Sequence, residues 1–324
     1  MEITSSLSSK IIQDKILENY SEFQYIFIEF QSRFLSSLYR RYQSLENGHL
    51  VLYFARRAHE AILRQKDYDF NFDLSFKNFW QNHSEITIKR TSIIRVAEDT
   101  TLPKETARRK ILELVKQRIL IKKNKNISWL PNDQYKKAYN IVIDNEIAQI
   151  SKLIRFVCEK INLSNSIEEI TKEIKERFSF YWFHFLGVEL EYLNLWNKKL
   201  KDLELLVIAL QCTNMLASKA KEIGMSFEKL YAHPHLVKDF KNISLSATSI
   251  SEVTGIPRVT CIRKLEQLVK LNAIQQDNIS KRYHIVSELF AKNLASKQTS
   301  EKVIEIFSQY FFICIRALMA KTLK

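Results

Sequence analysis

Hydrophobic residues recur three and four positions apart along most of the chain, the spacing that places side chains on one face of an α-helix. The pattern predicts helices over residues 8–43, 48–66, 178–196, 203–220 and 301–321, with a further apolar stripe between 147 and 157. Only four glycines and four prolines interrupt the 324 residues, and 46% of the residues are hydrophobic. We therefore expect a folded, mainly helical protein with room for two domains.

One stretch of the pattern occurs twice. Residues 102–116 align without a gap on residues 256–270, at an offset of 154. Weaker matches flank it: residues 50–55 match 206–211, Ser75-Phe76 matches Ser226-Phe227, and Trp129 matches Tyr283. The repeat predicts that each half of the chain follows one plan of long helices, a pair of short helices, a β-hairpin and a closing helix.

The plan gives two predicted domains. The first repeat is 1–162, with a helical scaffold at 1–84, a segment at 85–131 that contains the short helices and the hairpin (the reading segment), and a closing helix at 132–162. The second repeat is 163–324, divided into 163–241, 242–287 and 288–324. Ser166 and Glu169 have the spacing of a capping box that opens the first helix of the second repeat.

Within each repeat a short helix, a turn and a second helix are predicted. Gly255 supplies the turn of the second copy, and Pro257 begins the following helix at a position that needs no N–H donor. Thr101 occupies the position of Gly255, so we expect a less favourable turn of different shape there. Hairpins are expected at 119–130, with a turn at 124–126, and at 273–286, with a turn at 277–278.

Residues 249–270 (Ser-Ile-Ser-Glu-Val-Thr-Gly-Ile-Pro-Arg-Val-Thr-Cys-Ile-Arg-Lys-Leu-Glu-Gln-Leu-Val-Lys) resemble the reading helices of bacterial winged helix-turn-helix transcription regulators, and residues 96–111 do so too. The resemblance covers about 45 residues of each half. It implies a three-helix fold with a small β-hairpin wing, its second helix in the major groove of DNA and its wing on the backbone. The predicted fold class is mainly α: tandem duplicated winged helix-turn-helix domains in a long-helix scaffold, forming an intrachain pseudo-dimer.

Charge gathers on the two reading segments. The chain has a formal net charge of +14; residues 86–130 hold twelve Lys/Arg against four Asp/Glu, and residues 243–286 hold six against three. The segments thus carry +8 and +3, and basic charge placed in this way is typical of proteins that bind a polyanion. The alternative is a generally lysine-rich composition that only promotes solubility.

The helical register predicts which side chains point outward. The core positions are Val96, Ala97, Ala107, Ile111, Leu114, Val115, Cys261, Leu265, Leu268 and Val269. The expected DNA-binding residues are Lys104, Glu105, Thr106, Arg108, Arg109, Arg258, Thr260, Arg263 and Lys264. The expected wing residues, facing phosphates, are Lys122, Lys123, Lys125, Lys281 and Arg282. Arginine can donate two hydrogen bonds to guanine, and phosphate contacts set affinity. For Glu105 an ion pair with Arg109 is the alternative, and each cation could also lie on a solvated face.

Motifs of enzymes and metal sites are missing from the sequence. It has no glycine-rich phosphate loop, no His-x-x-x-His and no Gly-x-Ser-x-Gly. His233-Pro-His235 is the one close histidine pair, and we expect a surface loop there. The aromatic run at 178–185 is expected in a core rather than in a ligand pocket. We expect no enzymatic activity, no catalytic residues, no metal and no cofactor.

The sequence thus predicts a cytoplasmic transcriptional regulator that binds double-stranded DNA through two recognition helices in adjacent major grooves. The alternatives are a plasmid-type replication initiator and a non-enzymatic winged-helix scaffold for protein interactions. The four separated cysteines indicate a reducing compartment, and the N-terminus lacks a signal-peptide pattern. Apolar runs at 203–216 and 310–320 are short or interrupted, so no membrane partner is expected. A small-molecule effector and a homodimer through the long helices stay open.

Overall fold

The computed structural model of the chain describes residues 7–88, 91–124, 126–226, 229, 244–285 and 296–322. These residues form thirteen helices and two separate two-stranded sheets, so the protein is mainly α. The elements of the first half are α1 (Ser9–Glu18), α2 (Tyr20–Tyr42), α3 (Leu45–Tyr68), α4 (Phe79–Glu85), α5 (Ile93–Thr100), α6 (Lys104–Lys116), β1 (Leu120–Lys123), β2 (Asn126–Trp129) and α7 (Asp133–Lys160). Those of the second half are α8 (Ile167–Glu176), α9 (Phe178–Leu200), α10 (Leu203–Glu222), α11 (Ala247–Thr254), α12 (Arg258–Lys270), β3 (Ile274–Gln276), β4 (Tyr283–Ile285) and α13 (Lys297–Thr322).

The helix boundaries follow from local chemistry. The predicted capping box is confirmed: the Ser166 hydroxyl accepts from the Glu169 amide at 3.1 Å, and the Glu169 carboxylate accepts from the Ser166 amide at 2.8 Å. The single helix expected over 8–43 is two helices instead, because the backbone leaves helical geometry at Asn19, with φ −118° and ψ 36°. The Asn19 side chain donates to the Lys15 carbonyl at 2.9 Å, which occupies one of the acceptors left at the end of α1.

The order and length of the helices repeat along the chain. α1 and α8 both have ten residues, α2 and α9 both have 23, α5 and α11 both have eight, and α6 and α12 both have 13. Corresponding residues are 158 apart in the first two pairs and 154 apart in the last two. The difference of four residues therefore falls between the scaffold helices and the repeated segments.

The chain divides into two compact units that combine segments from both halves. Unit 1 comprises Met1–Ile12, Glu46–Lys199 and Ile306–Lys324, and unit 2 comprises Gln13–Leu45 and Leu200–Glu305. α2 therefore belongs to the unit that contains α11 and α12, and α9 belongs to the unit that contains α5 and α6. The boundary at 162 separates sequence repeats, and it stays a prediction for domains.

Unit 1 has an aromatic core. Its centre is Phe79, whose ring lies 4.6 Å from that of His59 and 5.3 Å from that of Phe178. Trp182 and Phe185 continue the same cluster along α9, and both are buried. The expectation that the run at 178–185 lies mainly in a core is confirmed. Aromatic side chains of this size bury enough area to dominate the stability of the unit.

Unit 2 is organised around α10. This helix packs against α2, α11, α12 and β4, and nearly all of its first eleven side chains are buried. On α2 the stripe that the periodicity indicated is buried at Phe27, Phe30, Phe34 and Leu38. A polar contact also joins the two helices, since the Gln211 side chain donates to the Ser36 hydroxyl at 3.0 Å. The pair α2–α10 is thus the main helix–helix interface of unit 2.

Two helices, Leu203–Glu222 and Lys297–Lys321, are long and apolar enough by composition to cross a membrane, with mean hydropathies of 1.2 and 1.6. Their apolar windows are 67% and 61% buried inside the protein. Buried core helices of globular proteins have the same composition. The sequence expectation that no membrane is involved stays a prediction.

Candidate nucleic-acid interface

The two repeated segments have the same order of elements, and their paired helices have the same lengths. We define the first repeated segment as α5, α6, β1 and β2 (residues 93–129) and the second as α11, α12, β3 and β4 (residues 247–285). In each, a serine hydroxyl accepts from the backbone amide three residues later, Ser92 at 3.2 Å and Ser246 at 3.0 Å. Pro103 and Pro257 precede the second helices with the same φ and ψ, −54° and 136°. The fixed φ of proline suits this position.

The turn between the helices is left-handed in both segments. Thr101 has φ 54° and Gly255 has φ 79°. The turns differ in their closing hydrogen bond, as the sequence led us to expect: the Thr101 amide donates to the Glu98 carbonyl, three residues back, and the Gly255 amide donates to the Ser251 carbonyl, four residues back. A β-branched residue in the left-handed region is strained. Something must therefore hold Thr101 in place.

In unit 1, two asparagines of α9 hold the Thr101 turn. The Asn194 side chain donates to the Asp99 carbonyl at 2.9 Å, and the Asn197 side chain donates to the Thr101 carbonyl at 3.1 Å. The Thr101 hydroxyl donates to Asn194 Oδ1 at 3.3 Å and accepts from Asn197 Nδ2 at 3.2 Å. Together these bonds satisfy carbonyls at the end of α5 and fix the threonine side chain.

In unit 2, α2 holds the corresponding turn by a different contact. Arg40 Nη2 donates to the carbonyls of Glu252 and Val253 at 2.6 and 2.7 Å. An ideal Cβ added to Gly255 would lie 2.7 Å from Arg40 Cγ. The missing side chain of Gly255 therefore allows both the left-handed turn and the close approach of Arg40.

The two hairpins differ at their tips. β1 and β2 pair Leu120 with Trp129 and Lys123 with Asn126, so two residues of the predicted turn at 124–126 lie between the strands. β3 and β4 pair Ile274 with Ile285 and Gln276 with Tyr283, which leaves a six-residue connection in place of the predicted two-residue turn.

Asp277 organises that longer connection. Its Oδ1 accepts from the amides of Ile279 and Ser280 at 3.0 and 2.6 Å, and these bonds lower the pKa of the carboxyl. The second hairpin also has an added pairing, since Leu245 and Tyr283 exchange backbone hydrogen bonds of 2.8 and 2.9 Å.

On α6 the predicted outward side chains are exposed or half-buried. Lys104, Glu105, Arg108 and Arg109 are exposed, and Thr106 is half-buried. Glu105 pairs with Arg108, three positions on, at 2.6 Å rather than with Arg109. The Arg108 hydrogen bond lowers the pKa of the Glu105 carboxyl, and both side chains remain on the surface.

On α12 the prediction fails at one position. Arg258 and Arg263 are exposed and Thr260 is half-buried, as the register indicated. Lys264, expected to point outward, is only 7% exposed and forms ion pairs with Asp202 and, at 3.4 Å, with Glu204. Both acids lie at the start of α10, so the long lysine turns inward to neutralise two partly buried carboxylates. Lys264 therefore anchors α12 within unit 2.

The matched position in the first repeated segment, Lys110, has a different partner. Its ammonium lies 3.4 Å from the Glu113 carboxylate on the same helix, and Glu113 accepts from the Asn47 side chain of α3 at 3.1 Å. The sequence offered no signal for this difference. The partner of each lysine depends on the side chains at the start of the neighbouring long helix, which are Asp202 and Glu204 for α10 and Asn47 for α3.

The core predictions hold at most positions. Eight of them are buried: Val96, Ala97, Ala107, Ile111, Leu114, Cys261, Leu265 and Leu268. Val115 and Val269 are half-buried instead, because each lies one residue beyond the buried face near the end of its helix.

The basic hairpin residues are exposed where the structure describes them. Lys122, Lys123, Lys281 and Arg282 are all exposed, and Lys125 lies outside the described residues. Arg282 Nε donates to the Ser244 carbonyl at 3.2 Å, which fixes its direction close to the strand pairing of Leu245. The pair His233-Pro-His235 also lies outside the described residues.

A polar cluster that the sequence did not reveal lies under the first hairpin. Trp129, at the end of β2, is fully buried, with its ring centroid 5.5 Å from that of His83. Burial lowers the pKa of His83 to about 4, with a further contribution from the charge of Lys136. His59 is buried in the same core, and its pKa is also lowered by burial. Scattered single histidines give no sequence signal for such a cluster.

Among the residues that the structure describes, no group of three or more His, Cys, Asp or Glu side chains is placed to hold a metal ion. All four cysteines are buried and free, and burial raises the pKa of the Cys158 thiol to about 11. Comparison with protein-family models, curated proteins and solved structures finds no match for this chain.

Proposed function

We propose that the chain binds double-stranded DNA through α6 and α12, acting as a transcriptional regulator in which the repeated segments are two winged helices of an intrachain pseudo-dimer. The observation that carries the proposal is the matched arginine pair. Arg109 and Arg263 occupy matched positions, 154 residues apart, and both are exposed. Each lies on a 13-residue helix that follows a left-handed turn and a proline. Because both the helix and its exposed arginine are repeated, we favour one kind of ligand for the two arginines over two unrelated surface charges.

The surrounding charges suit a phosphate backbone. In the first repeated segment Lys104 begins α6 and Lys122 and Lys123 extend along β1, all exposed. In the second, Lys281 and Arg282 are exposed on the connection before β4. Cations spaced between a helix start and a hairpin match a protein that contacts phosphates on both sides of a groove. Such contacts supply affinity and register, and base edges supply specificity.

The environment of each arginine supports a direct role in binding. The ion pairs of α6 involve Arg108 with Glu105 and Lys110 with Glu113, and those of α12 involve Lys264. Arg109 and Arg263 are exposed outside these pairs. An arginine that reaches solvent on a helix face can donate two parallel hydrogen bonds to guanine or to a phosphate.

The test is a titration of a labelled duplex of about 40 base pairs, long enough for two half-sites, at about 50 and 200 mM salt. Arg109→Glu and Arg263→Glu should each weaken binding at least about ten-fold, since a phosphate or base contact is replaced by repulsion. Each should also flatten the salt dependence by about one unit of log–log slope. Fluorescence anisotropy measures both effects.

The matched control is Arg33→Glu, which makes the same charge change on the exposed face of α2, where Arg33 pairs with Glu29 at 2.7 Å. It should alter affinity less than about two-fold. If neither Arg109→Glu nor Arg263→Glu lowers affinity beyond this control, the proposed function is wrong.

A plasmid-type replication initiator would use the same surface, so the two DNA-binding functions differ only in their sites. A footprint over repeated origin sequences instead of promoters would identify an initiator. A protein-interaction scaffold would show neither tight duplex binding nor a salt slope.

A further inference from the structure

The reading faces of the two segments differ at matched positions. Positions 105, 108 and 109 of α6 correspond to 259, 262 and 263 of α12, and each trio lies on one helix face because the spacing is three and four. The first trio is Glu105, Arg108 and Arg109. The second is Val259, Ile262 and Arg263, so the arginine is retained and the polar pair is replaced by two aliphatic side chains.

Glu105 and Arg108 of α6 form a bidentate ion pair on the surface. Arg108 Nε lies 2.9 Å from Glu105 Oε2 and 3.1 Å from Oε1, and Arg108 Nη2 lies 2.6 Å from Oε1. The donors of Arg108 that are not bonded to Glu105 are left for a ligand. The face of α6 is therefore hydrogen-bonding throughout.

Of the two aliphatic residues on α12, Val259 is exposed to solvent and Ile262 is half-buried. Val259 is 77% exposed, in the first turn of α12, and Ile262 is half-buried one turn later. Single exposed apolar residues are ordinary on protein surfaces. Val259, however, lies between Arg258 and Arg263, both exposed, in a region that carries a net positive charge. An apolar surface framed by cations is complementary to a ligand with anionic edges and an apolar centre.

The major groove of DNA presents such a surface. Phosphates line its edges, and the 5-methyl group of thymine is the one apolar group that a base displays in it. We propose that α12 recognises thymine in its half-site through contact of the thymine methyl group with Val259, backed by Ile262, while α6 has no equivalent preference. The inference rests on the proposed function and names the base that the second repeated segment selects.

The experiment removes the methyl group alone. A duplex selected for tight binding from a random pool is compared with the same duplex carrying deoxyuridine in place of thymidine, first in one half-site and then in the other. Base pairing, charge and hydrogen-bonding groups stay the same. Loss of one buried methyl contact should weaken binding about four-fold, and only when the substituted half-site is the one that α12 occupies.

Two matched variants assign the effect to its residue. Val259→Ala should bind the thymidine duplex as weakly as the unchanged protein binds the deoxyuridine duplex, and its affinities for the two duplexes should be equal. Glu105→Ala, at the matched position of α6, should keep the four-fold ratio. Because Val259 is largely exposed, its truncation leaves the fold intact, and circular dichroism verifies this.

Three results would overturn the inference in distinguishable ways. Equal affinity of the unchanged protein for both duplexes refutes methyl recognition and leaves DNA binding standing. A four-fold ratio that persists in Val259→Ala refutes the assignment to Val259. Absence of duplex binding, with a folded protein, refutes the proposed function and the inference together.

Discussion

The first and second repeated segments have paired helices of the same lengths and differ in what holds those helices in place. The turn of the first is fixed by amides of Asn194 and Asn197, and the turn of the second by the guanidinium of Arg40 against a glycine. The second helices are likewise fixed differently, by Asn47 bonded to Glu113 in one case and by Lys264 bonded to Asp202 in the other. The geometry of a repeated segment is thus set by local caps and a buried apolar face, while its anchors can be exchanged.

The surrounding units also differ. The four tryptophans, Trp80, Trp129, Trp182 and Trp196, all lie in unit 1. The three most buried histidines of the described residues, His49, His59 and His83, lie there too. In unit 2 the described histidine is His284, which is half-buried. Tryptophan fluorescence therefore reports on unit 1. Protonation of buried histidines lowers the stability of unit 1, and unit 2 largely lacks such histidines.

Acidification should separate the two units most strongly. Burial lowers the pKa of His49 to about 3 and that of His83 to about 4, against 6.5 in an exposed histidine. Below pH 6.5 the unfolded chain binds protons that the folded chain does not, so stability falls as the pH falls towards about 4. At pH 5 each imidazole should cost unit 1 about 2 kcal/mol relative to pH 7.

Urea unfolding followed by tryptophan fluorescence measures this loss in unit 1. Hydrogen exchange of peptides from α10 and α12 provides the comparison with unit 2. Because His49, His59 and His83 all have pKa values lowered by burial, His49→Phe should reduce the pH dependence by about a third, whatever its effect on stability at pH 7. A fluorescence midpoint that is independent of pH between 7 and 5 would contradict the prediction.

The next largest difference should be between the matched lysines. Lys264→Ala leaves the carboxylates of Asp202 and Glu204 without their shared cation in a partly buried site, and should cost about 3 kcal/mol of unfolding free energy. Lys110→Ala removes a contact with Glu113 on the same helix and should cost about 1 kcal/mol or less. Circular dichroism during urea unfolding measures both, and equal losses would remove the distinction between the anchors.

Lys264→Met separates charge from packing in the same comparison. The methionine replaces most of the aliphatic stem but leaves both carboxylates uncompensated. It should therefore remain closer in stability to Lys264→Ala than to the unchanged protein.

The smallest difference should be at the turns. Gly255→Ala places a side chain in a left-handed residue and pushes it against Arg40, so it should cost about 2 kcal/mol. Thr101→Gly relieves the backbone strain but loses the bonds of the threonine hydroxyl, and the two effects should cancel to within about 0.5 kcal/mol. Thermal unfolding of the two variants checks the contrast; a Thr101→Gly loss as large as that of Gly255→Ala would show that the two turns depend equally on their residues.

The elements of the repeated segments could be predicted because their signals are local. Proline after the turn, glycine at the second turn and apolar spacing in the second helices all act within a few residues. The prediction that Lys264 points outward was wrong. Helical spacing indicates the face on which a residue lies, but it does not show that Asp202 and Glu204 at the start of α10 form ion pairs with this lysine. The hydrogen bonds that hold the Thr101 turn could not be predicted from the sequence either, since Asn194 and Asn197 lie more than ninety residues away along the chain.

The exchange of helices between the halves could not be predicted either. Periodicity shows that α2 and α9 each have an apolar face, but not which partner buries it. Similar halves present similar faces, so the choice depends on matching details such as Gln211 with Ser36. The assignment of the DNA-binding residues remains a prediction. The exposure of most of these residues is compatible with it, and the titrations test it.

The membership of α2 in unit 2 has a consequence for synthesis of the chain. A ribosome that adds about 5–20 residues per second makes α2 roughly ten to forty seconds before it makes α10, whose sequence begins at Leu203. During that interval the aromatic stripe of α2 has no native partner. Unit 1 is also incomplete until its last segment, which begins at Ile306, has been translated. Neither unit can therefore close while only the first half of these residues has been translated.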